Sequence, residues 1–252
     1  MSTTEETLAR SLTAESTMLI MHLPYLLQDL WELGSDPAEI KTMLRAHADM
    51  TPKSKILDLA CGKGAVSVRL AKAFGCKVKG VDLLDDFVRV ARDKAAENKV
   101  KRLCVFECAD VNDAVMREKG YDVVVFGAAG DVLGTPQQML ANLKKVLKKG
   151  GYAVLDDAYA TTPETDYKTL LEWHAEFEQA GFDIVEQTLV DLDRLAAINT
   201  ENQLYITKRA DELKRAFPEK ANLFQGYVDS QQAECDDLAG ALQGVTWLLK
   251  AR

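Results

Sequence analysis

The residues best suited to chemistry stand close together in Ile56-Leu57-Asp58-Leu59-Ala60-Cys61-Gly62-Lys63-Gly64. An apolar run ends in an acid and passes into a loop of small residues. Gly62 and Gly64 allow backbone angles that a Cβ resists, and they let a ligand come close to the main chain. A dinucleotide loop of this kind wraps a diphosphate at a helix N-terminus. Asp58 would repel a diphosphate at short range and would attract an ammonium group by a charge-assisted hydrogen bond. Ser67 occupies the third fingerprint position, where a dinucleotide loop wants Gly or Ala. A second acid, Asp82, follows 82 − 58 = 24 residues later, where a carboxylate can accept from ribose hydroxyls. These acids call for a zwitterionic ligand that carries adenosine, although Asp82 alone would also suit a dinucleotide.

Such groups need rigid elements to hold them. Lys55 to Leu59 reads as a buried strand, followed by an amphipathic helix from about Val66 to Phe74. Lys77 to Asp82 is a second strand. Asp85 can cap a helix from about Asp86 to Glu97 that buries Phe87, Val88, Ala91 and Ala95. Leu103 to Glu107 and Tyr121 to Gly127 are a third and fourth strand, with Asp122 structural at the entry of the fourth. Thr135-Pro136 opens a helix that runs to about Leu147, Gly150-Gly151 stops it, and Tyr152 to Leu155 is a fifth strand.

From about residue 50 to 160 these motifs resemble the class I S-adenosylmethionine-dependent methyltransferases. The first motif of that family is an acid followed by three alternating glycines. Here Asp58, Gly62 and Gly64 match it, and Ala60 replaces the first glycine, where ordinary backbone angles are expected. The resemblance implies that Asp110 meets the adenine amine and Val111 packs on the ring. It also implies a cofactor-binding set of Asp58, Ala60, Gly62, Gly64, Asp82, Leu83, Asp110, Val111 and Gly127, with S-adenosyl-L-methionine as cofactor and no metal. The implied fold class is α/β: a seven-stranded mostly parallel sheet with helices on both faces, its last strand antiparallel beside the fifth.

Three segments lie outside this core. Residues 1–50 read as a helical cap, with helices over about Glu5 to Met21, Pro24 to Leu33 and Pro37 to Ala48, the last capped by Asp36. A lid over the cofactor cleft is one role for it. The core is expected over 51–190, with a helix capped by Thr162-Pro163, a stop at Gly181 and a sixth strand from Phe182 to Val190. A helical insertion, 191–242, is expected to break near Asn199, Pro218 and Gly226, and to build part of the pocket or a homodimer contact. The last strand of the core lies in 243–252.

The formal charge is 31 − 39 = −8, which argues against nucleic acid as the main partner. Five cysteines without a C-x-x-C pair fit a reducing cytoplasm and give no metal site. Met18 to Leu27 contains His22 and Pro24 and is too short to span a bilayer.

The expected function is methyl transfer to a small molecule by in-line displacement, at the carboxyl ends of the strands. That puts Gly127 to Asp131, and Asp156, Asp157 and Tyr159, beside the methyl group. No catalytic base is fixed by the sequence. Asp131 and Tyr159 are the best-placed candidates, ahead of His22 and His47. His174 reads as a core or partly buried histidine, and Lys63 is expected to face solvent. The alternatives are an NAD-dependent oxidoreductase, an aminopropyl transferase on a similar sheet, and a cofactor-binding regulatory protein without catalysis.

Overall fold

The computed structural model describes residues 4–162, Thr165 and residues 167–252. Seven strands form one sheet: β1 (Lys55–Leu59), β2 (Lys77–Asp82), β3 (Cys104–Cys108), β4 (Tyr121–Gly127), β5 (Leu147–Ala160), β6 (Phe182–Leu189) and β7 (Leu242–Ala251). Their order is β3-β2-β1-β4-β5-β7-β6, so the seventh strand lies between the fifth and sixth as expected. β1 to β5 pair parallel, with Asp58 opposite Gly80 on one side and Val125 on the other. The strand order reverses between β1 and β4, the place where open α/β sheets bind ligands.

The chain divides into two compact units. The larger comprises residues 31–157, 168–188 and 245–252. It holds α3 (Pro37–His47), α4 (Ala65–Phe74), α5 (Asp85–Glu97), α6 (Val111–Arg117), α7 (Pro136–Val146) and α8 (Leu170–Ala180). Ile40, Leu44, Ile56, Val68, Val78, Val88, Phe106 and Val123 are among the residues that form its core. Asp122 is structural here, since it accepts from Lys55 N at 2.8 Å and Lys148 Nζ at 2.6 Å.

The smaller unit comprises residues 1–30, 158–167 and 189–244, with α1 (Thr4–Ser11), α2 (Leu23–Leu26), α9 (Leu192–Ala216) and α10 (Ala221–Ala239). Arg209 ties α9 to the end of the first segment by bonds of 2.6 and 2.8 Å to Asp29. Tyr25 OH donates to Glu212 at 2.6 Å.

Several boundaries differ from the sequence expectations, each for a local reason. The helix expected from Glu5 to Met21 ends at Ser11, because Thr13 turns left-handed (φ 57) and Ser16 caps a separate turn over Thr17–Leu19. The helix expected from Pro24 to Leu33 stops at Leu26, and Trp31 to Ser35 contains no helix. α5 has Leu84 at its cap position, with Asp85 inside the first turn. Thr169 caps α8, through a capping box with Glu172, in place of Thr162; Pro163 lies outside the described residues. α9 runs through Asn199 and α10 through Gly226, so Pro218 marks the break between them. α6 was not foreseen.

Candidate functional site

The glycine loop leaves β1 at its carboxyl end and enters α4 at Gly64, whose left-handed backbone (φ 74) serves as the helix cap. Gly62 is also left-handed (φ 51). So is Ala60 (φ 53), which corrects the expectation of ordinary angles there: the site keeps the geometry of the missing glycine and bears a Cβ in a region that costs about 1 kcal/mol. Cys61 N donates to Val81 O at 3.0 Å, which fastens the loop to β2.

Two carboxylates lie behind this loop. Asp82, buried at the end of β2, accepts from Gly62 N at 2.8 Å with one oxygen and from Leu84 N at 3.0 Å with the other. Burial raises its pKa, and the N–H groups of Leu84, Gly62 and Leu83 oppose that shift. Asp58 is 3% exposed and accepts from Ser67 Oγ at 2.6 Å. Burial pushes its pKa up to about 7 against the bonds from Ser67, with the nearby charge of Asp82 adding to the rise. Asp58 thus lies under the loop, tied to the first turn of α4. Ser67, read from the sequence only as a departure from the dinucleotide pattern, is its hydrogen-bond partner. Lys63, expected to face solvent, is 3% exposed with its ammonium 5.4 Å from the centre of the Phe87 ring. The ammonium over the ring face makes a cation–π contact, which offsets part of the hydration lost on burial.

The raised pKa of Asp58 has a measurable consequence. The folded state holds a proton between about pH 4 and 7 that the unfolded chain releases, so this group's contribution to stability falls as pH rises through that window. Asp58→Asn removes the titration while keeping an acceptor for Ser67. In the apo protein its urea midpoint should decline less between pH 5 and 8 than that of the parent protein; parallel declines would refute the shift.

At the other end of the site, Asp110 caps α6 by accepting from Asn112 N at 2.8 Å and Asn112 Nδ2 at 3.0 Å, both on Oδ1. Among the described residues Oδ2 makes no such bond, which leaves it open to a donor. Val111 is buried and Leu83 is half-buried. Asn112 also donates to Val132 O at 3.0 Å, linking α6 to the turn after β4. Gly127, at the end of β4, pairs with Asp156 of β5.

The candidate bases are dispersed. Asp131 is exposed in the turn after β4 in the larger unit, and Tyr159 is half-buried near the end of β5 in the smaller one. His22 packs edge-on against Phe224 (5.0 Å between ring centres) in the smaller unit, where burial and then Lys220 lower its pKa. His47 pairs with Glu186 at 3.0 Å. His174 is partly buried and bonded to Gln187 at 3.2 Å, as its helical neighbours foretold.

A family model described as a methyltransferase domain matches residues 50–217. The chain belongs to this family. A solved S-adenosylmethionine-dependent methyltransferase from Thiobacillus denitrificans, in complex with S-adenosyl-L-homocysteine, superposes with a TM-score of 0.76 at 22% identity, over 92% of this chain and 98% of that one. The ribosomal protein L11 methyltransferase of Campylobacter concisus is 40% identical over 100 residues, which are 39% of this chain and 33% of that protein. The malonyl-[acyl-carrier protein] O-methyltransferase of Bacillus cereus is 28% identical over 140 residues, 55% of this chain and 48% of that one. The methyltransferase chain therefore spans half or less of the length of these two curated relatives. The seven-stranded class I methyltransferase fold expected from the motifs is the fold observed.

Sequence reading missed the segment Trp31 to Ser35. Trp31 Nε1 donates to Lys63 O at 3.0 Å, Glu32 pairs with Arg69, and Leu33 lies against Gly62. The sequence carried no signal against the helix: Gly34 suits a helix stop after Leu33, and Asp36-Pro37 mark only the start of the next helix.

Proposed function

We propose that this methyltransferase moves the methyl group of S-adenosylmethionine to a small-molecule acceptor. The observation that carries the reading is the pair of buried carboxylates, Asp58 and Asp82, behind one glycine loop. The negative charge of Asp82, joined by that of Asp58 as it ionises near pH 7, disfavours a diphosphate and favours a ligand with ammonium and sulfonium charges. Asp82 would accept from the ribose hydroxyls, Asp110 Oδ2 from the adenine amine, and Leu83 and Val111 would flank the ring. Asp58 would act on the ammonium through the loop that it supports.

The sulfonium supplies an electrophilic methyl group, so the protein's task is alignment and exclusion of water. In the turn after β4, Ser35 and Gly34 lie against Gly127 and Ala128, while a Cβ on Gly130 would meet nothing within 4 Å, which supports an acceptor beside Gly130. For an acceptor that arrives protonated, Asp131, in the same unit as the glycine loop, is the candidate base. The charge of −8 favours a small molecule over nucleic acid, and the name of the Bacillus cereus relative, an O-methyltransferase, supports transfer onto oxygen. Five free thiols are consistent with the cytoplasm.

Radiolabelled S-adenosylmethionine incubated with the protein and a cell extract, then fractionated by size, tests the acceptor class. Label is expected in the small-molecule fraction and dependent on the protein. Protein-dependent label in polypeptide or RNA would overturn the proposed acceptor.

A further inference from the structure

The segment from Trp31 to Ser35 crosses the reversal of strand order. Its first residues rest on the glycine loop after β1, where the Trp31 ring also lies 5.4 Å from the Arg69 guanidinium and 5.5 Å from the Lys94 ammonium. A Cβ on Gly62 would lie 3.2 Å from Leu33 Cδ1. Its last residues reach β4 and β5: Gly34 (φ +147) approaches Ala128 so closely that a Cβ would collide with the alanine methyl, and Ser35 Oγ fills the place of a Cβ on Gly127. β1, β4 and β5 are neighbours in the sheet, so these contacts draw a strap over the carboxyl ends of the strands that bind ligand in such folds. Asp36 then caps α3 through Ala38 N at 2.8 Å and fixes where the strap ends. The methyltransferase-domain match begins at residue 50 and does not include it.

The far end of the strap is held by a polar knot. The Asp156 carboxylate accepts from the Ser35 hydroxyl and from Thr246 Oγ1 at 2.8 Å, on a side of the sheet where Thr246 is 2% exposed. A half-buried carboxylate held by two hydroxyls is a poor device for stability, since apolar residues of similar volume often do as well there. Two hydroxyl bonds, each of modest net strength, make a contact that opens and closes readily.

We propose that Asp156 is a positioning residue for cofactor exchange: through Ser35 it latches the strap Trp31–Ser35 over β1 and β4, and S-adenosylmethionine and its product pass only when the latch opens. This rests on the cofactor site proposed above. The latch controls a rate, and its loss should speed entry and exit together.

Stopped-flow binding of S-adenosylhomocysteine, followed by tryptophan fluorescence, provides the test. Ser35→Ala and Thr246→Val each remove one donor to Asp156, and valine keeps the shape of threonine. In both variants the association and dissociation rates should rise about fivefold, from the loss of one hydrogen bond, with the Kd changed less than about twofold. Asp156→Asn, which keeps an acceptor for Thr246 and offers a donor to Ser35, should exchange at nearly the parent rate. Unchanged rates in Ser35→Ala and Thr246→Val would overturn the latch, as would faster dissociation alone with a matching loss of affinity. Those outcomes leave the cofactor site standing. Absence of binding to the parent protein would instead remove the site and the latch with it. If Ser35→Ala does not fold, Thr246→Val, remote from the strap, decides the matter.

Discussion

Asp82→Ala should weaken S-adenosylmethionine binding by at least about 100-fold, with the fold retained. One carboxylate does two jobs at the end of β2. It holds Gly62 N and Leu84 N, which sets the shape of the loop, and in the proposed site its remaining acceptor capacity would serve the ribose hydroxyls. Hydrogen bonds to a charged group contribute about 1.5–3 kcal/mol each, so losing a ribose pair costs roughly 3–6 kcal/mol. A tenfold change in affinity corresponds to about 1.4 kcal/mol, which makes 100-fold the low end of the expected range. Asp82→Asn keeps one acceptor and should fall between. Isothermal titration, with circular dichroism to confirm the fold, checks this; affinity within threefold of the parent would exclude Asp82 from the site.

Gly64→Ala should destabilise the whole domain, by about 2–4 kcal/mol. The backbone there is left-handed (φ 74), which disfavours a Cβ by about 1 kcal/mol. The added Cβ would lie 2.8 Å from Ala91 Cβ and 2.9 Å from Phe106 Cζ, so α5 or β3 must shift, at a cost of about 1–3 kcal/mol. That is a large part of the 5–15 kcal/mol that stabilises a typical domain. Because Gly64 also starts α4, the bond from Ser67 to Asp58 should weaken along with it. Urea denaturation measures the loss; a midpoint equal to that of the parent would contradict the packing described here.

The five parallel strands and the order of the motifs were legible in the sequence because each rests on local grammar: an apolar run, a terminal acid, then glycine. Local grammar also placed Asp122 and His174 correctly. What it left out depended on partners distant in the chain. Asp58 looked like a ligand-facing acid, and only the fold reveals that Ser67, nine residues on, draws it under the loop. Lys63 looked solvated until Phe87 of α5 came beneath its ammonium. The left-handed Ala60 carries no mark in its residue type. The strap was misread as helix because Leu26, Leu27, Leu30 and Trp31 have helical spacing. Its contacts to Lys63, Gly127 and Asp156 span up to 156 − 35 = 121 residues of sequence and leave no local pattern.

The central claim is that the loop between β1 and α4 receives S-adenosylmethionine. Isothermal titration of the purified chain with S-adenosylmethionine, S-adenosylhomocysteine and NAD tests it most directly. The account predicts saturable binding of the first two, lost in Asp82→Ala, and none of NAD. Binding of NAD alone would contradict it.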